Sequence, residues 1–183
     1  CLRMAQPGHA LLLIEDGKLG LDQNIADFLP AFANQRVLID PAKSLASRPS
    51  QSPITVRTLL THTAGLGYAI VTTGPLLDAY VKNGLFAALV SRKPIPGVPA
   101  FLRNPPTLAE FADRLATLPL IADPGVKWSY SVSLDLMGRL IEVASGMPFE
   151  AFVQKRIFDQ LGMTSSFWQV PASEIGRFTT NHG

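Results

Sequence analysis

Residues 123–146 of the chain read DPGVKWSYSVSLDLMGRLIEVASG, and this stretch decides the fold. Its first three residues predict a tight turn, because proline fixes φ and glycine accepts backbone angles that other residues avoid. A short extended segment then leads to Tyr130. Over residues 133–145, apolar side chains recur at helical spacing, at Met137, Leu140, Ile141 and Ala144. Gly146 follows as a C-terminal stop, so the pattern predicts a turn, an extended segment and an amphipathic helix.

Tyr130 is the residue of this stretch that suggests chemistry. It precedes a helix start, where unpaired N–H groups and aligned peptide dipoles make the potential positive. That field favours the phenolate form of a tyrosine. Ser131 is interpreted as a turn residue and Ser133 as the N-cap of the helix. Tyr130 is therefore a candidate proton-transfer group, and the alternative is an ordinary half-buried tyrosine beside a turn.

A second informative segment, residues 54–66, reads ITVRTLLTHTAGL. Thr55 predicts the N-cap of a short helix that runs to His62, and Gly65 predicts its stop. We interpret His62 as a structural residue that satisfies backbone groups at the helix end. No acidic residue near it in the sequence would orient its ring for catalysis.

The remaining pattern is typical of a helical, loop-rich chain. Thr107 and Glu110 fit a capping box at the start of a helix. Only residues 167–170 suggest a strand. Helices are predicted at residues 9–15, 25–29, 76–90 and 107–118 and directly after Pro148.

Composition excludes several classes of protein. The chain has 183 residues, of which 47% are hydrophobic and 16% charged, with a net charge of +2. This length allows one domain over residues 1–183, or one domain with a small appendage, and the charge balance is too even for a nucleic-acid binder. No apolar run approaches the roughly 20 residues that cross a bilayer, so no membrane span is expected.

Cysteine and motif content narrow the chemistry further. Cys1 is the sole cysteine, so no internal disulfide can form, and it is interpreted as an inert surface thiol. This favours a reducing, cytoplasmic location, with a periplasmic one as the alternative if a signal peptide precedes the chain. Nucleotide-binding glycine motifs and helical His pairs are absent, so neither a cofactor nor a metal is expected. Trp128 and Trp168 are interpreted as core or pocket-wall residues.

In combination, these motifs resemble the serine β-lactamase-type hydrolase superfamily, which includes class C β-lactamases, DD-peptidases and β-lactamase-fold esterases. The matching segments are LLTHTAGL at 59–66, the block around Tyr130 at 123–142, the helix and its L-G-M end at 148–163, and EDGKLGLD at 15–22. The resemblance implies an α/β (α+β) β-lactamase-like fold. This chain would supply mainly its helical region and little of its antiparallel sheet.

The resemblance also implies a function. It predicts a serine hydrolase that acts on carboxylic esters through an acyl-enzyme, with Tyr130 as the proton relay. The family's Y-x-N asparagine falls on Val132, which favours esters over β-lactams. The alternatives are a β-lactamase or D-peptidase, an acyltransferase of the same fold, or a non-catalytic binding module. A small-molecule ester or amide is the expected partner, and no residue is assigned to bind it.

The nucleophile is not found in this sequence. The family's S-x-x-K motif does not occur, and by spacing its lysine falls on Arg3 and its serine one residue before Cys1. Arginine cannot act as the base, because its guanidinium keeps its proton. We therefore expect the chain to be part of a larger domain and to be inactive alone.

Overall fold

The computed structural model of the chain describes residues 2–85 and 107–177, with side chains from residue 8 onward. The chain divides into two compact units, residues 1–146 and 147–183. In the described part, none of the helices combines the length and the apolar character that spanning a bilayer requires.

The first unit is mainly helical. Its helices are α1 (Leu2–Glu15), α2 (Val56–Leu60), α3 (Pro75–Lys82), α4 (Leu108–Ala116) and α5 (Ser133–Ser145), with 3-10 turns at Ile25–Asp27 and Pro30–Phe32. Two short strands, β1 (Arg36–Leu38) and β2 (Ser47–Pro49), pair antiparallel, with Val37 opposite Arg48.

The second unit has a short helix, α6 (Phe149–Val153), which continues as a π-helical turn over Gln154–Phe158. A 3-10 segment follows at Ala172–Arg177. The Phe149 and Trp168 rings meet edge to face, with centroids 5.7 Å apart. Trp168 is thus a partly exposed ring packed on a helix start.

Helix α5 lies at the centre of the first unit and packs against α1, α2 and α4. Its predicted bounds are confirmed, as is its stop at Gly146, which adopts a left-handed φ of 70°. The buried side chains of α5 include Leu136, Met137, Leu140 and Ile141. Burying each such side chain contributes about 1.5–3 kcal/mol relative to exposure. The buried face therefore holds α5 in place, and with it the segment that leads into the start of the helix.

The capping predictions hold at α2 and α4. Thr55 accepts the backbone N–H of Thr58, and Thr107 and Glu110 form the predicted capping box. In contrast, residues 25–29 form only a single 3-10 turn, Ile25–Asp27, and α4 ends at Ala116.

Other element predictions were wrong or incomplete. Helix α1 begins at Leu2, not at residue 9. It continues through Pro7 with one backbone hydrogen bond fewer, because the proline nitrogen carries no hydrogen. The predicted helix 76–90 ends at Lys82, and residues 86–90 lie outside the described part. Residues 167–170 are not a strand. The observed strands are three residues each, too short for an alternating pattern to reveal them.

The Asp123 carboxylate holds the turn that precedes Tyr130. It accepts hydrogen bonds from the Arg48 guanidinium at 2.5 and 3.2 Å, from the Gln51 backbone N–H at 2.8 Å and from the Ser50 hydroxyl at 3.3 Å. Arg48 above all, and then the Gln51 amide, lower the pKa of Asp123 to about 2. Arg48 within β2 and the two residues directly after β2, Ser50 and Gln51, are therefore tied to one buried carboxylate at the start of the turn.

We expect Asp123→Asn to lower the thermal unfolding midpoint by several degrees at neutral pH, because Arg48 loses its charged partner. The folded-state pKa lies below the ordinary value near 4, so the ionised carboxylate contributes stability above pH 4. That contribution disappears as the pH falls from about 4 to about 2. Unfolding midpoints of wild type and variant, measured across this range, should therefore converge in acid. The exposed Asp22–Arg57 pair supplies the control, and Asp22→Asn should change the midpoint little. A constant difference at all pH values would contradict this role of Asp123.

Candidate active site

Two loops meet where the sequence motifs lie: residues 61–67 after α2, and residues 121–132 before α5. The second loop donates four backbone hydrogen bonds to the first. They run from Ile121 to Gly65 (2.7 Å), Gly125 to Thr63 (2.8 Å), Ser129 to His62 (2.9 Å) and Val132 to Gly67 (3.2 Å). The two motifs, separated by about 60 residues of sequence, therefore form one structural unit.

Gly65 lets these loops approach each other. Its φ is 77°, and a Cβ atom at this position would lie 2.1 Å from the Ala122 carbonyl oxygen. The prediction that Gly65 stops the helix was wrong, because α2 ends at Leu60 and the chain first turns left-handed at His62 (φ 55°). The glycine is required for close approach of two backbones and not for capping.

His62 contacts the candidate proton relay directly. Its ring centroid lies 4.8 Å from that of Tyr130, with the planes inclined by 37°, and 6.5 Å from that of Trp128. Its Nδ1 lies 3.1 Å from the Ser131 Oγ and accepts the Ser131 backbone N–H at 3.3 Å. Partial burial lowers the pKa of His62 below its usual value. The interpretation as a helix-end residue missed these contacts, since no sequence signal shows which distant loop a side chain meets.

Tyr130 is 41% exposed and lies among aromatic rings. Besides His62, it meets the edge of the buried Tyr68 ring, with centroids 5.5 Å apart. Its side chain is not buried among aliphatic neighbours, so the phenol is accessible to a reacting group.

Ser131 and Ser133 form a buried hydroxyl pair, with their Oγ atoms 2.7 Å apart. The prediction of Ser133 as N-cap was wrong: Val132 occupies that position, and the Ser131 hydroxyl accepts the Ser133 N–H at 3.3 Å. The Ser131–His62 contact has the geometry of a nucleophile with its base. However, Ser131 is only 4% exposed, so its oxygen cannot reach a substrate carbonyl. The contact between Ser131 and His62 therefore helps to hold the backbones of the two loops together.

Neighbouring positions show what the site lacks. Val132 is fully buried, so the position matched to the family's asparagine offers no amide to a ligand. Trp128 is 64% exposed, so the expectation that it lies in the core was wrong, and its alternative as a pocket-wall residue stays a prediction. Cys1 and the Arg3 side chain lie outside the described part, so the interpretations of both stay predictions. Among the described residues, no group of three or more His, Cys, Asp or Glu side chains is placed to hold a metal ion.

The helical layer, the short antiparallel pair and the two joined loops define a partial β-lactamase-like fold. The sequence model of the beta-lactamase family matches residues 9–183, and the chain belongs to that family. The fold class implied by the sequence motifs is thereby confirmed.

Three similar proteins give the match its context. The chain is 38% identical over 159 residues to ML-236A carboxylate methylbutanoyltransferase of Penicillium citrinum, covering 85% of the chain and 33% of that protein. It is 32% identical over 171 residues to lovastatin esterase of Penicillium rubens, covering 91% and 38%. The structure of EstCE1, a hydrolase with promiscuous acyltransferase activity, matches with a TM-score of 0.61 and 27% identity, covering 86% and 35%. The chain thus spans little more than a third of the length of these relatives.

We expect Gly65→Ala to destabilise the protein by more than about 3 kcal/mol, because both the left-handed φ and the Ala122 carbonyl oppose a Cβ atom. Gly146→Ala is the matched control. It has a similar φ of 70° but no atom within 4 Å of the added Cβ, so it should cost about 1–2 kcal/mol. Denaturant unfolding measures both values. Equal losses would show that the loop contact at Gly65 is looser than described.

Proposed function

We propose that this chain forms the helical part of a serine hydrolase that cleaves carboxylic esters through an acyl-enzyme intermediate, with Tyr130 as its proton relay. The observation that carries the proposal is the placement of Tyr130. A chain of the beta-lactamase family presents an accessible phenol where the motif loops 61–67 and 121–132 meet.

The proposed reaction has two stages. A serine oxygen bonds to the ester carbonyl carbon, and its proton passes to the Tyr130 oxygen, which in this proposal starts the reaction as the phenolate. The tetrahedral intermediate then collapses, the bond to the alcohol oxygen breaks, and Tyr130 returns the proton to that oxygen so that the alcohol leaves. In the second stage the oxygen of water bonds to the acyl carbon while Tyr130 takes a proton from that water. The bond between the acyl carbon and the serine oxygen then breaks, Tyr130 returns the proton to the serine, and the carboxylic acid leaves. The nucleophile would come from outside this sequence, which contains no S-x-x-K motif.

Two observations favour esters over β-lactams. Val132 is buried and cannot donate a hydrogen bond from its side chain to the amide group of a lactam substrate. In addition, one relative is named as an esterase and another as a methylbutanoyltransferase. Both reactions need the same acyl-enzyme and the same proton transfers.

Acyl transfer to an alcohol is the second candidate. The 38% identity to a methylbutanoyltransferase supports it. Here the acceptor alcohol replaces water in the second stage, and Tyr130 would remove the proton of that alcohol. A non-catalytic binding module is the remaining alternative, which Arg3 at the lysine position would favour.

Tyr130→Phe in the full-length protein should lower kcat for p-nitrophenyl butyrate by about 100- to 10,000-fold, because the ring remains and only the proton-transferring hydroxyl is lost. Tyr68→Phe is the matched control, with an expected change of less than about tenfold, since it leaves the hydroxyl of Tyr130 in place. Release of p-nitrophenol measures both variants. Unchanged turnover in Tyr130→Phe would remove Tyr130 from the mechanism.

A fluorophosphonate probe should label the wild-type full-length protein, because such probes react with activated serine nucleophiles. The isolated 183-residue chain should remain unlabelled.

Nitrocefin should be hydrolysed much more slowly than p-nitrophenyl butyrate, and an added alcohol should yield a new ester if acyl transfer operates. Absence of labelling in the full-length protein would favour the binding-module alternative, and faster nitrocefin hydrolysis would favour a β-lactamase.

A further inference from the structure

We infer that His62 is a positioning residue for Tyr130: it fixes the backbone on both sides of the tyrosine and supports its ring, so that the phenol oxygen stays in place during proton transfer. This inference rests on the function proposed above, because it matters only if Tyr130 relays protons.

The backbone contacts place His62 beside Tyr130. The His62 carbonyl accepts the N–H of Ser129 at 2.9 Å, and its Nδ1 accepts the N–H of Ser131 at 3.3 Å. The residues immediately before and after Tyr130 are therefore both held by one residue of the other loop.

The conformation of His62 makes these two contacts possible. Among the residues that the structure describes, it is the only non-glycine residue with a positive φ, at 55°. A left-handed backbone is unfavourable for an L-residue, and such strain persists where surrounding contacts fix it. In this conformation the carbonyl and the ring of His62 are both directed at the segment that carries Tyr130.

The ring contributes the third contact. His62 lies against Tyr130 at 4.8 Å between centroids, and Tyr68 meets the same ring edge to face at 5.5 Å. Two aromatic neighbours thus limit rotation of a side chain that is otherwise partly exposed. Aromatic pairs in offset or edge-to-face geometry attract each other beyond the effect of the area they bury.

His62 does not transfer a proton itself in this assignment. Its Nδ1 accepts the Ser131 N–H, so the hydrogen-bond geometry assigns the imidazole proton to Nε2. The Ser131 hydroxyl that faces the same nitrogen is buried and also bonds to Ser133. The imidazole therefore serves as an acceptor and a packing surface.

Two substitutions in the full-length protein separate these contributions. His62→Gly keeps the left-handed backbone but removes the ring and its acceptor atom, and kcat should fall about 10- to 100-fold with KM changed less than about threefold. His62→Asn tolerates positive φ and places an amide oxygen near the Nδ1 position, so it should recover part of the lost kcat. Recovery by Asn identifies the acceptor, and the remaining deficit identifies the ring.

A double-mutant cycle with Tyr130→Phe provides the decisive test. If His62 acts through the phenol, His62→Gly should change the residual turnover of Tyr130→Phe by less than about twofold. An equal loss in both backgrounds, or no loss in wild type, would overturn the inference. The His62→Asn cycle supplies the same comparison if His62→Gly does not fold. If Tyr130→Phe alone leaves turnover intact, the proposed function fails, and that outcome is distinct from a failure of the His62 assignment.

Discussion

The joining of two loops by backbone hydrogen bonds is the constraint on which the candidate site depends. Four N–H groups of residues 121–132 reach carbonyls of residues 62–67, and the approach is close enough that Gly65 has no room for a Cβ atom. Hydrogen bonds between backbones can form with most residue types. The close approach of these two loops, in contrast, requires a residue without a Cβ atom at position 65. The position of Tyr130 therefore depends on Gly65, which lies on the other loop.

Two further anchors act on this joined pair. Asp123 ties the start of the 123–125 turn to Arg48 and to the backbone of Gln51. At the other end, the apolar face of α5 is buried against α1, α2 and α4. Tyr130 lies between a charged anchor and an apolar one. Within the part of the chain that the structure describes, the segment between them pairs with no strand, so the contacts of His62 with Ser129 and Ser131 matter for its position.

Local patterns allowed the elements around the site to be predicted. The capping residues Thr55 and Thr107 were identified because a cap is a hydrogen bond between residues three apart. Helix α5 and its stop at Gly146 followed from apolar spacing. Predictions failed where contacts between residues far apart in the sequence determine the structure. These cases are the exposure of Trp128, the short strands β1 and β2, and the role of Gly65. No neighbour in the sequence reports on those contacts.

The sequence by itself determined the family motifs, the choice of Tyr130 as candidate relay and the order of turn, extended segment and helix, because each depends on short-range spacing. Only the tertiary structure decided which residues surround Tyr130. His62 is 68 positions away along the chain, and its left-handed backbone is not encoded by any pattern around it. A ring contact and two hydrogen bonds to the flanking residues arise when the loops meet in space, and that meeting is fixed by packing over the whole unit.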